Sequence, residues 1–251
     1  MHSRIGEFVA SIRGVMTKAP QADRPSAAVQ DYLKAVYAVA ERSQQGLAST
    51  SQVSSELGVS QSSASAMLKR LSELGFAEPG SRGSVRLTEP GRLAALEVIR
   101  HHRLLETFLV DKLGMPWDRV HDEAEVLEHH ISQDLAARIA EALGEPDRDP
   151  HGHPIPTANG EVADGPSGRL ADLPEGTRAI VSVVSDQDPE LLRFLADLRV
   201  VPGAAVQIVA RAPFEGPLSL RVDDHTEVAL PVGAARHVSV EAVAPTPSAA
   251  A

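Results

Sequence analysis

The chain of 251 residues is long enough for one large domain or two to three small ones. Its 43% hydrophobic and 23% charged residues are those of an ordinary globular protein, and a net charge of −10 argues against a general polyanion binder. Cysteine is absent, which excludes disulfides, thiolate metal sites and cysteine nucleophiles and fits a reducing, cytoplasmic setting; no apolar run approaches the roughly 18 residues of a membrane span.

Residues 1–25 hold mixed charges and two prolines with no period, and are expected to be a disordered extension rather than a signal peptide. Between Ser26 and Arg100 eight Lys/Arg stand against seven Asp/Glu, a net of +1, so this third can present a local basic face to DNA while the acid lies elsewhere. Ser26 opens a helical pattern, with Val29, Leu33, Val36, Tyr37 and Ala40 at steps of three and four and Gly46 ending it. Thr50 to Gly75 then reads as a helix-turn-helix. Val53 and Leu57 face the core on its first helix, Gly58 supplies the turn and Ser60 caps the second helix, whose inner face is Ala64, Met67, Leu68 and Leu71. Its other face carries Gln61, Ser62, Ser63, Ser65, Lys69 and Arg70: small hydroxyls for close approach to a major groove and two cations for phosphates. Two strand-like runs around Pro79–Gly83 form a wing, with Arg82 and Arg86 placed for the DNA backbone.

Thr88 caps a long helix from about Glu89 to Lys112, with Leu93, Leu96, Ile99, Leu104, Phe108 and Leu109 as its apolar face. An acidic, histidine-bearing helix follows from about Asp118 to Ile131. A helix capped by Ser132 comes next, with Leu135, Ile139, Ala142 and Leu143 on its buried side. Glu145 to Pro174 turns to proline, glycine, Asp and His, the composition of a linker or irregular wrap. From Arg178 five short strand-like runs and one short helix suggest a small SH3-like barrel. Residues 244–251 are low-complexity and expected to be disordered.

The chemistry concentrates in His121-Asp-Glu-Ala-Glu-Val-Leu-Glu-His-His130. His121, Glu125, Glu128 and His129 fall at offsets 0, 4, 7 and 8, one face of a helix. The preceding helix repeats the pattern with His102 and Glu106, four apart. Acid runs on helices ordinarily mark solvated faces, but imidazoles and carboxylates crowded on one face are costly without a cation. Sulfur-free ligands of this kind favour Mn, Fe(II), Zn or Co. The remaining histidines, His151, His153, His225 and His237 among them, read as surface residues of loops and strand ends.

At these residues the chain resembles the diphtheria-toxin-repressor family of metal-dependent transcriptional repressors, its manganese-sensing branch in particular. The resemblance runs from about Ala28 to Val240. It rests on Val29-Gln-Asp-Tyr-Leu-Lys, the helix-turn-helix, Leu87-Thr-Glu-Pro-Gly, His101-His-Arg-Leu-Leu-Glu-Thr-Phe-Leu, the His121–His130 stretch and Asp149-Pro-His-Gly-His-Pro-Ile-Pro. It implies a mainly α protein with a small β part. A winged helix-turn-helix domain (26–90) would be followed by a metal-binding and dimerisation domain (91–160), a linker (161–176) and an SH3-like, FeoA-like β-barrel (177–243). It also implies a regulatory metal site of Asp31, Glu125, Glu128 and His129, and a second site of His102, Glu106 and His121. Ligands from the SH3-like domain would fall near Gln187 and Glu190, with Asp186 and Asp188 as neighbouring alternatives. Iron-sensing relatives carry Met at the position of Asp31 and Cys at that of Glu125; hard oxygen donors here point to Mn(II), with Fe(II) the other activator. Manganese sensors lacking the third domain have a further carboxylate where this chain has Lys34. The expected protein is a homodimeric, metal-activated repressor of metal-ion homeostasis that reads a palindromic operator, and not an enzyme. Two other readings stay open on the residues alone: a winged-helix regulator that needs no metal, and a metallohydrolase using a metal-bound water.

Overall fold

Ser26 brings an extended backbone into the first helix of the structure, a computed structural model that describes residues 24–165, 168–223 and 226–242. Helix α1 (Ala27–Glu41) buries Val29, Leu33, Val36 and Val39 at helical spacing, although Ser26 starts it without a side-chain cap. The expected helix-turn-helix is present as α2 (Thr50–Glu56) and α3 (Gln61–Glu73). Ser49 and Gln52 form a reciprocal capping box on α2, and the Ser60 hydroxyl accepts from Ser63 N–H on α3; such caps are worth ~1 kcal/mol each. Gly58, at φ +63°, makes the turn.

The wing has three strands where two were expected. β1 (Ala48–Ser49) pairs with β3 (Ser84–Leu87), which also pairs with β2 (Ala77–Pro79), all antiparallel. Helix α4 (Glu89–Leu113) follows; the Thr88 hydroxyl accepts from Gly91 N–H, and Gly114 ends the helix in the left-handed region. Its N-terminal part packs on α1 and its C-terminal part on α5 (Val120–Leu127) and α6 (Gln133–Leu143). One continuous helix therefore joins the winged helix-turn-helix to α5 and α6, and the expected boundary at residues 90–91 falls inside it. Leu33, Leu71, Leu96 and Leu104 are fully buried along this axis, each contributing about 1.5–3 kcal/mol by leaving water.

Several expectations need correction. Helix α5 stops at Leu127 instead of Ile131; Glu128 to His130 form turns, with His130 N–H bonded to Leu127 O. The Arg24 guanidinium donates to the carbonyls of Glu128, His129 and Ile131 in the turn that follows, and Ser132 caps the next helix. Leu93 is exposed beside Gly160 rather than buried. Leu135 is likewise exposed, together with Val126 and Leu127. The expected extension and tail, apart from Arg24, Pro25 and the flanking described residues, lie outside the described range.

The C-terminal unit begins earlier than residue 177. β4 (Gly168–Arg169) and a 3-10 turn over Leu170–Asp172 already belong to it, with Leu170 and Ala171 in its core. An antiparallel sheet of six strands runs β4-β9-β5-β6-β7-β8, with β5 at Arg178–Val184, β6 at Ala205–Arg211, β7 at Leu218–Val222, β8 at Thr226–Leu230 and β9 at Val238–Ala242. Helices α7 (Pro189–Asp197) and α8 (Val232–Ala235) complete it. The loop 149–153 docks this unit on the helical one. Gly152 sits at φ +90°, where an added Cβ would overlap Ser182 O, and Val184 N–H donates to His151 O at 2.9 Å. Only glycine permits that approach.

Candidate metal centre

An inner cluster forms where α4, α5 and the segment after β5 meet. His102 Nε2 lies 3.0 Å from Glu106 Oε1 and 3.2 Å from His121 Nδ1. His121 Nδ1 is 3.4 Å from Glu106 Oε1 and 3.6 Å from Asp186 Oδ2. Glu106 has no exposed surface. Burial alone would raise its pKa, but His102, His121 and His151 hold it well below the usual carboxylate range. Burial likewise disfavours the His102 imidazolium, yet Glu106 and Glu128 outweigh it and push the ring up to about 9. Contact with Glu106 also raises His121.

The outer cluster joins α1 to the turn after α5. His129 Nε2 stands 3.0 Å from Asp31 Oδ1 and 3.5 Å from Glu128 Oε1. The buried Gln30 amide donates to Pro25 O at 2.8 Å, so its Oε1 is left to accept from His129 Nδ1–H at 2.8 Å. That bond aims His129 Nε2 at the carboxylates. Glu125 joins through Glu128: His102 Nδ1 is 2.6 Å from Glu128 Oε2 and 3.8 Å from Glu125 Oε1. Lys34 Nζ bridges the two, 2.7 Å from Glu125 Oε1 and 2.8 and 3.0 Å from the Glu128 oxygens. Burial opposes the Lys34 charge, but Glu128 and Glu125 override it and its pKa lies above that of ordinary lysine. Burial would raise Glu125, but Lys34 keeps it low. Burial raises Asp31, and the nearby charges of His129 and Lys34 do not offset it.

A third group escapes the sequence reading, which assigns its histidines to the surface. His151 is fully buried, stacks on Trp117 with ring centroids 5.5 Å apart and bonds through Nε2 to Trp117 O. Its Nδ1 lies 3.5 Å from Glu106 Oε2, and Glu106 outweighs burial to push the ring up to about 9. His153 Nδ1 is 3.3 Å from Asp149 Oδ2 and 3.9 Å from Asp186 Oδ2. Glu106 Oε2, Asp149 Oδ2, His151 Nδ1 and His153 Nδ1 are buried and have no hydrogen-bond partner among the described residues. Buried polar atoms are ordinarily hydrogen-bonded; these face one another only as the Glu106–His151 and Asp149–His153 ion pairs, with Arg103 Nε 3.7 Å from Asp149 Oδ2, and their nitrogen and oxygen donors fit a divalent cation. The available signal was Asp149, His151 and His153 alternating in a stretch otherwise built like a linker.

Two expected ligands lie apart from the clusters. Gln187 lines the open groove beside them. Glu190 is exposed in the first turn of α7, where Asp188 caps the helix by accepting from Glu190 and Leu191 N–H. Asp186 takes the place expected for them. On the DNA side, Ala64, Leu68 and Leu71 bury the inner face of α3, which leaves Gln61, Ser62, Ser63, Ser65, Lys69 and Arg70 exposed together. Lys69 and Arg70 make only loose, exposed ion pairs with Glu73, at 3.9 and 3.6 Å, and can exchange them for phosphates. Arg86 is exposed but donates to Gln45 O at 2.7 Å, bracing the wing; the side chain of Arg82 lies outside what the structure describes.

Family models match all three parts of the chain. Residues 26–82 match the iron dependent repressor N-terminal DNA binding domain, 88–157 the iron dependent repressor metal binding and dimerisation domain, and 168–242 the FeoA domain. The chain is 32% identical over 225 residues to the iron-dependent repressor IdeR of Mycobacterium tuberculosis, covering 84% of this chain and 96% of that one. It is 32% identical over 195 residues to the diphtheria toxin repressor of Corynebacterium diphtheriae, covering 72% of this chain and 83% of that one. Among solved structures, a manganese-dependent transcriptional repressor in complex with manganese superposes with a TM-score of 0.78 at 43% identity, over 86% of this chain and 100% of that one.

Proposed function

This chain belongs to the iron-dependent repressor family of metal-dependent transcriptional repressors, and from that premise we propose that Mn(II) is its activating ion, with Fe(II) the alternative. Asp31, Glu125, Glu128 and His129 would hold the regulatory ion. His102, Glu106, His121 and Asp186 would hold a second, with Asp149, His151 and His153 beside it. The donor set supports this reading: carboxylate and imidazole, no sulfur, and oxygen at Asp31 and Glu125. A bound ion supplies two positive charges to carboxylates that repel one another.

The observation that carries the regulatory role is Asp31, on the first helix of the DNA-reading unit, 3.0 Å from His129, which follows α5. Anything that strengthens this contact restrains α1, and with it α3, against the helical unit. Two copies paired on a two-fold axis would then hold their α3 helices about 34 Å apart, one DNA turn, to match a palindromic operator. A coupling of roughly 1–3 kcal/mol suffices for such a switch. The exposed Val126, Leu127 and Leu135 are the apolar residues of this region left for a partner copy. No helix among the described residues is long and apolar enough to cross a membrane, and the assigned residues all serve binding rather than catalysis.

The test is retention of an operator fragment with and without Mn(II) by the parent chain, Asp31→Ala and Glu125→Ala. Both variants are expected to lose metal-dependent retention. If both still respond to the ion, the regulatory assignment is wrong.

A further inference from the structure

The regulatory cluster already contains a cation of the chain's own. Lys34 reaches across from α1 and commits all three ammonium donors to two residues: Glu125 Oε1 at 2.7 Å and the Glu128 oxygens at 2.8 and 3.0 Å. Glu128 has no exposed surface, and a buried carboxylate is costly without a positive partner. The Lys34 ammonium meets that need, together with His102 at 2.6 Å.

We propose that Lys34 is a built-in competitor that sets the metal threshold of the regulatory site. The inference rests on Asp31, Glu125, Glu128 and His129 being that site. Oxygens that bind a divalent ion do so at about 2.0–2.2 Å. Those of Glu125 and Glu128 converge on one point, and Lys34 Nζ stands at it. A dication and an ammonium cannot share that point, so entry of the ion and departure of Lys34 are one event. The chain provides an exit. The Lys34 side chain is 21% exposed and lines a groove of about 930 Å³ shared with Asp31, His121, Glu125 and Asp186. The ammonium can swing into that groove while the core face of α1, Leu33 and Val36, stays packed. Before the ion arrives, Lys34 holds the two carboxylates together, so the site is shaped but masked. Asp31 and His129, 3.0 Å apart, are not bridged by Lys34 and are open to a first encounter with the ion. Because linkage is reciprocal, whatever affinity Lys34 has for this point is subtracted from that of the metal.

The experiment counts Mn(II) bound to the full chain from the electron paramagnetic resonance signal of the free aqueous ion. The parent, Lys34→Met, Lys34→Gln and Asp31→Ala are titrated in parallel, and each is melted with and without Mn(II). Neutral residues at 34 are expected to tighten, by at least about fivefold, the low end of ordinary coupling between two ligands, the same site that Asp31→Ala removes. They are also expected to lower the melting temperature without metal and leave it unchanged with saturating Mn(II). If Lys34→Met and Lys34→Gln bind Mn(II) no more tightly than the parent while Asp31→Ala still loses a site, Lys34 is no competitor and the regulatory assignment stands. If Asp31→Ala keeps the full stoichiometry, the regulatory assignment fails and takes this inference with it. The glutamine variant keeps a hydrogen-bond donor for Glu128, so a folding failure of Lys34→Met alone leaves the question answerable.

Discussion

Metal loading of the inner cluster should expel protons. His102 and His151 are both pushed up to about 9 by Glu106, with Glu128 adding to the effect at His102. At pH 7.5 a group with that pKa is roughly 97% protonated, against roughly 9% for an ordinary histidine near 6.5. A nitrogen that ligates a metal must be deprotonated, so loading should release about one proton per chain from His102 alone, where an unperturbed ring would release about 0.1; His121, raised by Glu106, adds to that number. The apparent affinity should then rise about tenfold per ring for each pH unit up to about 9. The assay is isothermal titration of Mn(II) at pH 7.5 in buffers of different ionisation enthalpy; the slope of heat against buffer enthalpy counts the protons. A count near 0.1 would refute the argument, because it would mean that Glu106 and Glu128 do not hold His102 charged. The same shifts carry a stability sign. A raised histidine pKa stabilises the fold most below the unfolded value near 6.5, and that contribution is lost as pH rises through about 9. For each ring it is on the order of 3 kcal/mol. The metal-free protein should therefore melt at lower temperature as pH goes from 7 to 9.5, and the loaded protein should show a smaller decline.

Gly152→Ala should weaken the docking of the C-terminal unit. Its Cβ would overlap Ser182 O at φ +90°, a cost of roughly 3 kcal/mol visible as a lower melting temperature and easier proteolysis of the 145–167 stretch. Gln30→Ala should remove the acceptor that aims His129 while leaving every assigned ligand in place. Loss of such an outer partner ordinarily weakens a metal site about 10- to 100-fold, and an unchanged Mn(II) affinity in the same titration would show that His129 is oriented by something else.

Elements whose order is written in local chemistry are legible in the sequence itself. Helices α1, α3 and α4 announce themselves by apolar spacing, and α3 and α4 also by caps at Ser60 and Thr88. The pairing of His102 with Glu106 and the proximity of Asp31 to His129 are legible too, the second through family resemblance rather than spacing. What fails depends on partners distant in sequence. The turn after α5 is held by Arg24, about a hundred positions away, a contact that no window around Leu127 contains. Asp188 looks like a ligand neighbour and is instead an N-cap; that role turns Glu190 into an exposed helical turn and leaves Asp186 facing His121. His151 and His153 resemble surface histidines until Gly152 allows their loop to touch Ser182 and buries His151 against Trp117. Lys34 reads as a missing carboxylate; only the distances reveal it as a cation in the site.

His102 explains why two clusters so close together need not act as one. Its Nε2 faces Glu106 and His121, and its Nδ1 faces Glu128, so the ring is a wall shared by both. As an imidazolium it donates from both nitrogens. When Nε2 gives up its proton to become a ligand of the inner cluster, the neutral tautomer that remains still carries Nδ1–H and still donates to Glu128. Filling the inner site would therefore keep Glu128 oriented by the same Nδ1–H, with the ion's own charge taking the place of the proton's. Lys34 remains the direct positive partner of this fully buried carboxylate. Through this shared ring an ion in the inner cluster would brace the outer one, where, on the proposed reading, the outer ion competes with Lys34 and restrains the DNA-reading helix.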